Sequence, residues 1–259
     1  MDTEAGTPQK RHVAGIIPAR WGSTRFPGKP LHLIAGKALV QHVWDQCQKC
    51  RNLDSLLIAT DDERIAEACR GFGADVAMTS PEHPSGSDRI AEILADRPAI
   101  SHAINIQGDE PLIAPELVDE LAGLLAGDPN LEMVSAASPI TSEDDFQDPN
   151  IVKVVLNEAH EALYFSRSPI PHFRDGWDAR NDGDPVPLRH IGIYGYRADF
   201  LEKFLSWPAA FLEQAESLEQ LRALSHGTRI RMALTDHVAP GVDTPEQARL
   251  IETLILSST

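Results

Sequence analysis

Apolar and polar positions alternate between two periods along the first half of the chain. Short apolar runs of strand length lie between segments whose apolar residues recur at helical spacing. The pattern predicts strands over 13–18, 55–60, 75–79, 102–107 and 133–140, and helices over 38–50, 63–72, 88–94 and 115–125. Strands that alternate with helices indicate βαβ units, so we expect an α/β fold with a mostly parallel sheet and helices on both faces.

The second half of the chain departs from this rhythm. It predicts strands over 152–156 and 191–196, separated by a polar loop over 172–187. We interpret the range of about 150–197 as an insert that covers a ligand and pairs with a second copy. Helices over 198–205 and 213–224, a strand over 229–234 and a helix from Pro245 follow. The expected organisation is a flexible segment over 1–11 and a single domain over 12–259.

The charge of the chain is strongly acidic, with one local exception. A formal net charge of −16 at pH 7 repels nucleic-acid backbones and anionic lipid, so we expect neither nucleic acid nor a membrane as a partner. Between Ala5 and Trp44, however, there is no acidic residue. The cations in this stretch are Lys10, Arg11, Arg20, Arg25, Lys29 and Lys37. This segment suits a small anionic substrate.

Hydropathy and cysteine content favour a cytoplasmic protein. No apolar run approaches the ~20 residues that cross a bilayer, and the polar opening residues lack the apolar core of a signal peptide. Three cysteines make no disulfide framework, which agrees with a reducing compartment. Cys47 and Cys50 form a C-x-x-C pair late in a predicted helix; packing on its apolar face explains them as well as zinc or redox chemistry does.

The loop over 20–29 (RWGSTRFPGK) follows the first predicted strand. Glycines, hydroxyls and three cations there predict an anion-binding nest. It is not a Walker A loop, because five residues separate Gly22 from Gly28 and Pro30 occupies the position of the metal-binding hydroxyl; nor does it contain G-x-G-x-x-G. The alternative is an ordinary solvated turn. The absence of nearby acids favours phosphate binding.

Two aspartates are candidate metal ligands. Asp109, in the segment QGDEP (107–111), follows an apolar run and is expected at the carboxyl end of a central strand, where ligands of parallel sheets bind. Asp243 precedes Pro245 and the last predicted helix. Mg²⁺ accepts a few carboxylates together with water and phosphate oxygens. Asp243 also suits a helix cap, and taken alone its sequence favours capping.

Several ordered segments together resemble the 3-deoxy-manno-octulosonate (KDO) cytidylyltransferases, or CMP-KDO synthetases. They are 16–30 (IIPARWGSTRFPGKP), 83–89 (HPSGSDR), 107–111 (QGDEP), 162–167 (ALYFSR), 189–196 (RHIGIYGY) and 241–246 (GVDTPE). The resemblance runs from Val13 to about Glu252. Two departures are Ser87-Asp88-Arg89, where the family often has Thr-Glu-Arg or Thr-Asp-Arg, and the loop over 172–187, which matches no family pattern.

The resemblance implies a GT-A-like nucleotide-diphospho-sugar transferase fold and an enzyme that converts CTP and KDO into CMP-KDO and pyrophosphate. It implies that Asp109 and Asp243 bind Mg²⁺, and that the triphosphate is held by Arg20, Ser23, Arg25 and Lys29. Lys29 and Arg20 would stabilise the departing charge. Candidate nucleotide contacts are Ser85 and Gly86, and candidate KDO contacts are Gln107, Arg167, His190, Tyr194, Glu216 and Gln220. A homodimer and a product used for lipopolysaccharide or another KDO-containing surface glycan are also implied.

Other interpretations stay open at this stage. Tyr194 could be ordinary core, His190 a satisfied, partly buried histidine, and Glu216 part of a solvated helix face. The substrate could be sialic acid or an amino analogue of KDO. A catalytically silent binding module would lack the metal carboxylates, whereas both are present. A carbohydrate-binding or structural protein would need an exposed aromatic platform, and only 6% of the residues are aromatic.

Overall fold

The computed structural model of the protein describes residues 11–22, 26–177, 186–237 and 239–257. The strands are β1 (Val13–Ala19), β2 (Leu33–Ile34), β3 (Lys37–Ala38), β4 (Ser55–Thr60), β5 (Val76–Met78), β6 (His102–Asn105), β7 (Met133–Pro139), β8 (Lys153–Leu156), β9 (Ala162–Ser166), β10 (Leu188–Arg197) and β11 (Ile230–Leu234). The helices are α1 (Leu39–Cys47), α2 (Glu63–Gly71), α3 (Gly86–Asp96), α4 (Pro115–Gly127), α5 (Glu143–Gln147), α6 (Ala198–Ser206), α7 (Phe211–Glu216), α8 (Gln220–Ser225) and α9 (Pro245–Ser257), with a 3-10 turn at Lys29–Leu31. Most of the predicted N-terminal segment lies outside the described residues.

The central sheet is mixed, as expected. Its strands follow the order β11-β7-β10-β6-β1-β4-β5, and β8 and β9 extend it as a hairpin beside β10. β1 pairs in parallel with β4 and β6, and β7 pairs in parallel with β11. β10 runs antiparallel to each of its partners, β6, β7 and β8. The α/β class with a mostly parallel sheet is confirmed.

β1 shows why the sheet is covered on both faces. Val13 and Ile17 belong to a core cluster shared with α1, α2 and α4, whereas Ala14 and Ile16 belong to a second cluster shared with α3, α6 and α8. Successive side chains of a strand point to opposite faces, so a strand buried on both faces is apolar throughout. The continuous apolar run that predicted this strand is the result.

The C-terminal helix packs on the hairpin of β2 and β3. Phe26, Ile34 and Leu39 form a small core with Val242 and Ile251. Glu252 also accepts a hydrogen bond at 2.7 Å from the backbone N–H of Ala35. These contacts bring the segment before α9 beside the loop that follows β1.

The structure corrects several predicted elements. The helix predicted over 213–224 is two helices, because Ser217 adopts a left-handed conformation (φ 53, ψ 50) that ends α7. The strand β9, the β2–β3 hairpin and the short helix α5 are absent from the predicted set. α1 ends at Cys47, three residues before the predicted end.

The predicted insert contains two different kinds of strand. β8 and β9 form the outlying hairpin, whereas β10 lies inside the central sheet between β6 and β7. The division of the chain into one domain with an insert stays a prediction. None of the helices in the described part of the chain has the length and hydropathy that a bilayer crossing requires.

Candidate active site

Lys29 lies between the two predicted metal ligands. Its Nζ donates to Asp109 Oδ2 at 2.6 Å and to Asp243 Oδ1 at 3.1 Å. The Lys29 side chain is 16% exposed and that of Asp109 31%, so solvent screens this pair less than it screens the pair with Asp243, whose side chain is 47% exposed. Two residues that lie 80 and 214 positions from Lys29 in sequence therefore meet at its ammonium group.

Asp109 reaches this point because the chain turns tightly past the end of β1. A Cβ on Gly108 would lie 2.7 Å from the carbonyl oxygen of Pro18, so only glycine permits this approach without a backbone shift. The carbonyl of Asp109 accepts a hydrogen bond from the Val242 N–H at 2.9 Å. That bond ties the segment carrying Asp243 to the segment carrying Asp109.

The N-terminus of α9 resolves the two roles considered for Asp243. Thr244 Oγ1 accepts from the Gln247 N–H at 3.3 Å, and Gln247 Oε1 accepts from the N–H groups of Asp243 and Thr244 at 2.6 and 3.1 Å. This reciprocal arrangement is a capping box formed by Thr244 and Gln247. The Asp243 carboxylate instead pairs with Lys29. The cap of α9 that the sequence favoured for Asp243 is therefore formed by Thr244 and Gln247.

The loop over 20–29 is described only in part. Ser23 and Arg25, both predicted to hold the triphosphate, lie outside the described residues. Arg20 is exposed directly after β1. Gly28 has a positive φ of 70, and its N–H donates to the Trp21 carbonyl at 3.3 Å. The ring of Trp21 packs under this turn, since a Cβ on Gly28 would lie 3.1 Å from it.

The predicted nucleotide contacts lie at the N-terminus of α3, beside the end of β1. Ser85 caps the helix: its Oγ accepts from the Asp88 N–H at 3.2 Å and donates to the Asp88 carboxylate at 2.5 Å. A Cβ on Gly86 would lie 3.5 Å from the Pro18 ring. Asn105 Oδ1, close by, is buried without a protein partner. Sequence reasoning did not single out Asn105.

A cavity of about 460 Å³ is lined in part by Glu110, the residue that follows Asp109. Among the residues that line it are three of the predicted KDO contacts: His190, Tyr194 and Gln220. Three buried polar atoms of its lining lack a protein partner: Glu110 Oε2, Arg189 Nε and Gln220 Nε2. An unpaired buried polar group is costly, so this cavity suits a ligand that both donates and accepts hydrogen bonds.

Glu110 and Arg189 were missed as site residues. Burial, and secondarily the charge of Asp109, raises the pKa of Glu110 to about 7. Arg189 lines the cavity, and its Nη2 donates to Asp145, whereas its buried Nε has no protein partner. Both residues lie in segments that resemble the family. Glu110 directly follows Asp109 and Arg189 directly precedes His190, and this adjacency could have indicated them as site residues.

His190 and Tyr194 are half-buried on β10. Ser135 Oγ donates to the Ile193 carbonyl at 2.8 Å, so the 2.9 Å contact between Ser135 Oγ and His190 Nε2 is a bond donated by the imidazole. Burial lowers the pKa of His190 to about 3, so the ring is neutral. Burial also raises the pKa of Tyr194. Both line the cavity as uncharged hydrogen-bonding groups.

Arg167 and Glu216 form hydrogen bonds with each other's backbone. Neither residue lines the cavity. The Arg167 guanidinium donates to three carbonyls, those of Glu216 at 2.7 Å, Pro149 at 3.1 Å and Ser217 at 3.4 Å. The Glu216 carboxylate accepts from Ser166 Oγ at 2.7 Å and from the Arg167 N–H at 2.9 Å. These hydrogen bonds hold the turn between α7 and α8. Gln107, another predicted KDO contact, donates a hydrogen bond at 2.8 Å to the Gly192 carbonyl on β10.

The C-x-x-C pair has the geometry of packed thiols. Cys47 is buried on α1, and Cys50 Sγ donates to the Pro115 carbonyl at 3.7 Å. The Cys50 side chain and burial together raise the pKa of Cys47, which keeps its proton. No group of three or more potential metal ligands occurs among the residues that the structure describes.

Comparison with known proteins agrees with this geometry. The cytidylyltransferase family model matches residues 14–230. The 3-deoxy-manno-octulosonate cytidylyltransferases of Geobacter sulfurreducens and Pseudomonas syringae pv. syringae are 49% and 50% identical to this chain, over 90% and 93% of its length and 95% and 96% of theirs. This chain belongs to the cytidylyltransferase family.

A solved structure supports the same assignment. CMP:2-keto-3-deoxy-manno-octonic acid synthetase complexed with CTP is 40% identical and superimposes with a TM-score of 0.89, covering 96% of this chain and all of that one. The family resemblance expected from the sequence is therefore confirmed. The roles assigned to individual cytidylyltransferase residues stay predictions.

Proposed function

We propose that this protein transfers the cytidylyl group of CTP to KDO, forming CMP-KDO and pyrophosphate. The observation that carries the proposal is the meeting of Lys29, Asp109 and Asp243 beside a polar cavity, in a chain about half identical to enzymes named for this reaction. The anomeric oxygen of KDO forms a bond to the α-phosphorus, and the bond from that phosphorus to the bridging oxygen of pyrophosphate breaks.

The phosphate end of the site supplies charge and position. Arg20 and Lys29 would bind the triphosphate and stabilise charge on the leaving pyrophosphate, as phosphoryl transfer requires. Ser23 and Arg25 complete the proposed set of triphosphate ligands. Because Lys29 already contacts both aspartates, it can pass from them to the phosphates when a cation takes its place.

The donor set fits Mg²⁺. Asp109 and Asp243 each place a carboxylate oxygen within hydrogen-bond distance of one ammonium group, so both can serve one cation. Two carboxylates with water and phosphate oxygens satisfy the preference of Mg²⁺ for oxygen ligands. When bound, the metal would polarise the α-phosphate and shield its charge.

The cavity fits an acid sugar. KDO presents hydroxyl groups that can donate to Glu110 and accept from Gln220, while Arg189 offers a cation for a carboxylate. His190 and Tyr194 add neutral polar groups. Gln107, Arg167 and Glu216 are proposed to act at the same site, the last two through the turn that they hold.

Pyrophosphate release tests the proposal. Purified protein would be incubated with Mg²⁺ and CTP together with KDO, sialic acid, an amino analogue of KDO or no sugar, and the KDO reaction repeated with ATP, GTP and UTP. Release that requires both CTP and KDO is expected. Release with sialic acid alone would change the substrate, and no release from any pair would indicate a binding module.

We also propose that the protein works as a cytoplasmic homodimer that feeds lipopolysaccharide or another surface glycan. The support for a dimer is the hairpin of β8 and β9, where Leu163 is 60% exposed on a strand that pairs with β8. Light scattering should give about twice the 28.4 kDa chain mass, and Leu163→Asp should reduce it. A wild-type mass of one chain would contradict the dimer.

A further inference from the structure

Trp21 connects the phosphate loop (residues 20–29) to helix α2. A Cβ on Gly28 would lie 3.1 and 3.2 Å from two carbons of the indole ring, so the ring is packed against the Gly28 backbone. The guanidinium carbon of Arg64, in the first turn of α2, lies 3.4 Å from the centroid of the Trp21 ring system. One aromatic side chain therefore contacts both the loop and the helix.

Arg64 is held in place by the residue that caps its own helix. Its Nε donates to Asp62 Oδ1 at 2.9 Å and its Nη2 donates to Asp62 Oδ2 at 2.6 Å. Asp62 Oδ1 also accepts from the Arg64 N–H at 3.0 Å, which caps α2. A two-point pair of this kind fixes the plane of the guanidinium, and a planar cation is what stacks on an indole.

Gly28, which the Trp21 ring contacts, directly precedes Lys29 in the chain. Gly28 has a positive φ of 70, and its carbonyl accepts from the Leu31 N–H at 3.0 Å, which begins the 3-10 turn that contains Lys29. The Trp21 carbonyl accepts the Gly28 N–H at 3.3 Å. Both the backbone and the ring of Trp21 thus hold the residue that sets the direction of Lys29.

Resting on the proposed function, we propose that Arg64 and Trp21 are positioning residues for CTP. Arg64 stacks on Trp21, Trp21 supports Gly28, and the supported turn presents Lys29 to the triphosphate. Neither side chain needs to touch the nucleotide. Without the stack, the turn at Gly28 and Lys29 samples more conformations and CTP must order it on binding, so CTP affinity falls while sugar affinity does not.

The experiment compares Arg64→Ala and Arg64→Lys with Arg70→Ala in the full chain. Arg70 lies on the same helix, is similarly exposed and pairs with Glu63, so its removal matches the loss of a surface cation without touching Trp21. Calorimetry with CTP and Mg²⁺ in the absence of sugar gives the Kd for CTP. Steady-state kinetics give kcat and both KM values, and thermal unfolding gives Tm.

We expect Arg64→Ala to raise the Kd and KM for CTP about three- to fivefold, the range of an exposed cation–π contact. The KM for KDO and the Tm should match those of Arg70→Ala. Arg64→Lys, which keeps charge but loses the planar stack, should fall between. Trp21→Phe should bind CTP more tightly than Trp21→Ala, since a smaller ring still supports Gly28.

Three results would overturn the proposal. Arg64→Ala could bind CTP as tightly as Arg70→Ala, it could weaken both substrates equally while lowering Tm, or Trp21→Ala could match the wild type. Loss of CTP affinity in Arg64→Ala together with no sugar-dependent turnover in the wild type would contradict the proposed function alone. A wild type that does not bind CTP would contradict both.

Discussion

The phosphate end of the site and the sugar cavity satisfy their polar groups in opposite ways. At the phosphate end, Lys29 pairs with both Asp109 and Asp243 through contacts of 2.6 and 3.1 Å. In the cavity, Glu110 and Gln220 keep buried polar atoms that have no protein partner. The charged groups of the first region are paired with each other before a ligand arrives, whereas the polar atoms of the second gain partners only from a ligand. Changes at the two ends should therefore affect different kinetic constants.

The largest effect is expected from Asp109→Asn, which keeps the side-chain shape and removes its charge. Turnover should fall about 10²- to 10³-fold, the loss seen when a preorganised charge-stabilising group is removed. The KM for KDO should change little. Steady-state pyrophosphate release checks this, with the exposed Asp45→Asn as control. Turnover near the wild-type value would remove Asp109 from the metal site.

Gly108→Ala should break the phosphate end without changing any charge. The new Cβ would lie 2.7 Å from the Pro18 carbonyl oxygen, and the shift should cost about 1–3 kcal/mol of the free energy of unfolding. Displacement of Asp109 should also lower kcat about 10- to 100-fold. Urea unfolding and kinetics measure both effects. Gly127→Ala, where no atom lies within 4 Å of the new Cβ, is the control and should lose neither.

Glu110→Gln tests the cavity. At a pH above the Glu110 pKa of about 7, the charged acceptor contributes about 1.5 kcal/mol to holding a sugar hydroxyl, so the KM for KDO should rise about tenfold while the KM for CTP stays within about twofold. The exposed Glu120→Gln, on α4, serves as the control. Equal changes in both KM values would mean that the two ends of the site are not separable.

The smallest effect is a pH dependence of stability at His190. Its pKa in the folded protein is lowered to about 3 by burial, whereas the unfolded value is about 6.5. Below about pH 6.5, His190 is protonated in the unfolded chain but stays neutral in the folded chain. The contribution of this group to the free energy of unfolding is therefore fully present above pH 6.5 and decreases toward pH 3, by up to about 1.4 kcal/mol per pH unit.

Urea unfolding of the wild type and His190→Gln at pH 7.5 and 5.5 measures this slope. The variant should lose less stability over the interval, whatever its stability at pH 7.5. Identical losses in the two proteins would show that His190 is not the neutral group that the structure describes.

The contrast between the two regions also explains what the sequence could predict. Lys29, Asp109 and Asp243 follow strand ends or precede a helix, and residues at the carboxyl edge of a parallel sheet converge whatever their separation in sequence. β4 was predicted to the residue, because a buried strand bounded by polar residues has a clear apolar limit. The fold class follows from the same alternation.

The cavity depends on contacts that residue types do not encode. Arg167 suited a sugar carboxylate by its chemistry, yet its partners are three backbone carbonyls, which every sequence possesses. The break between α7 and α8 arises at Ser217, whose left-handed conformation does not follow from an otherwise helical pattern. Glu110 was overlooked because the predicted role of Asp109 already accounted for the segment QGDEP. Only the buried, unpaired carboxylate oxygen of Glu110 in the structure indicates that it is a site residue.

The position of β10 in the centre of the sheet constrains how this enzyme could be redesigned. The same strand carries His190 and Tyr194 and supplies all the pairing between β6 and β7. An engineer who altered the wall of the cavity on β10 would be altering the strand that joins the two halves of the sheet. Gln220 instead begins α8, outside the sheet, so libraries that aim to change sugar preference should start at the turn between α7 and α8 and at Gln220.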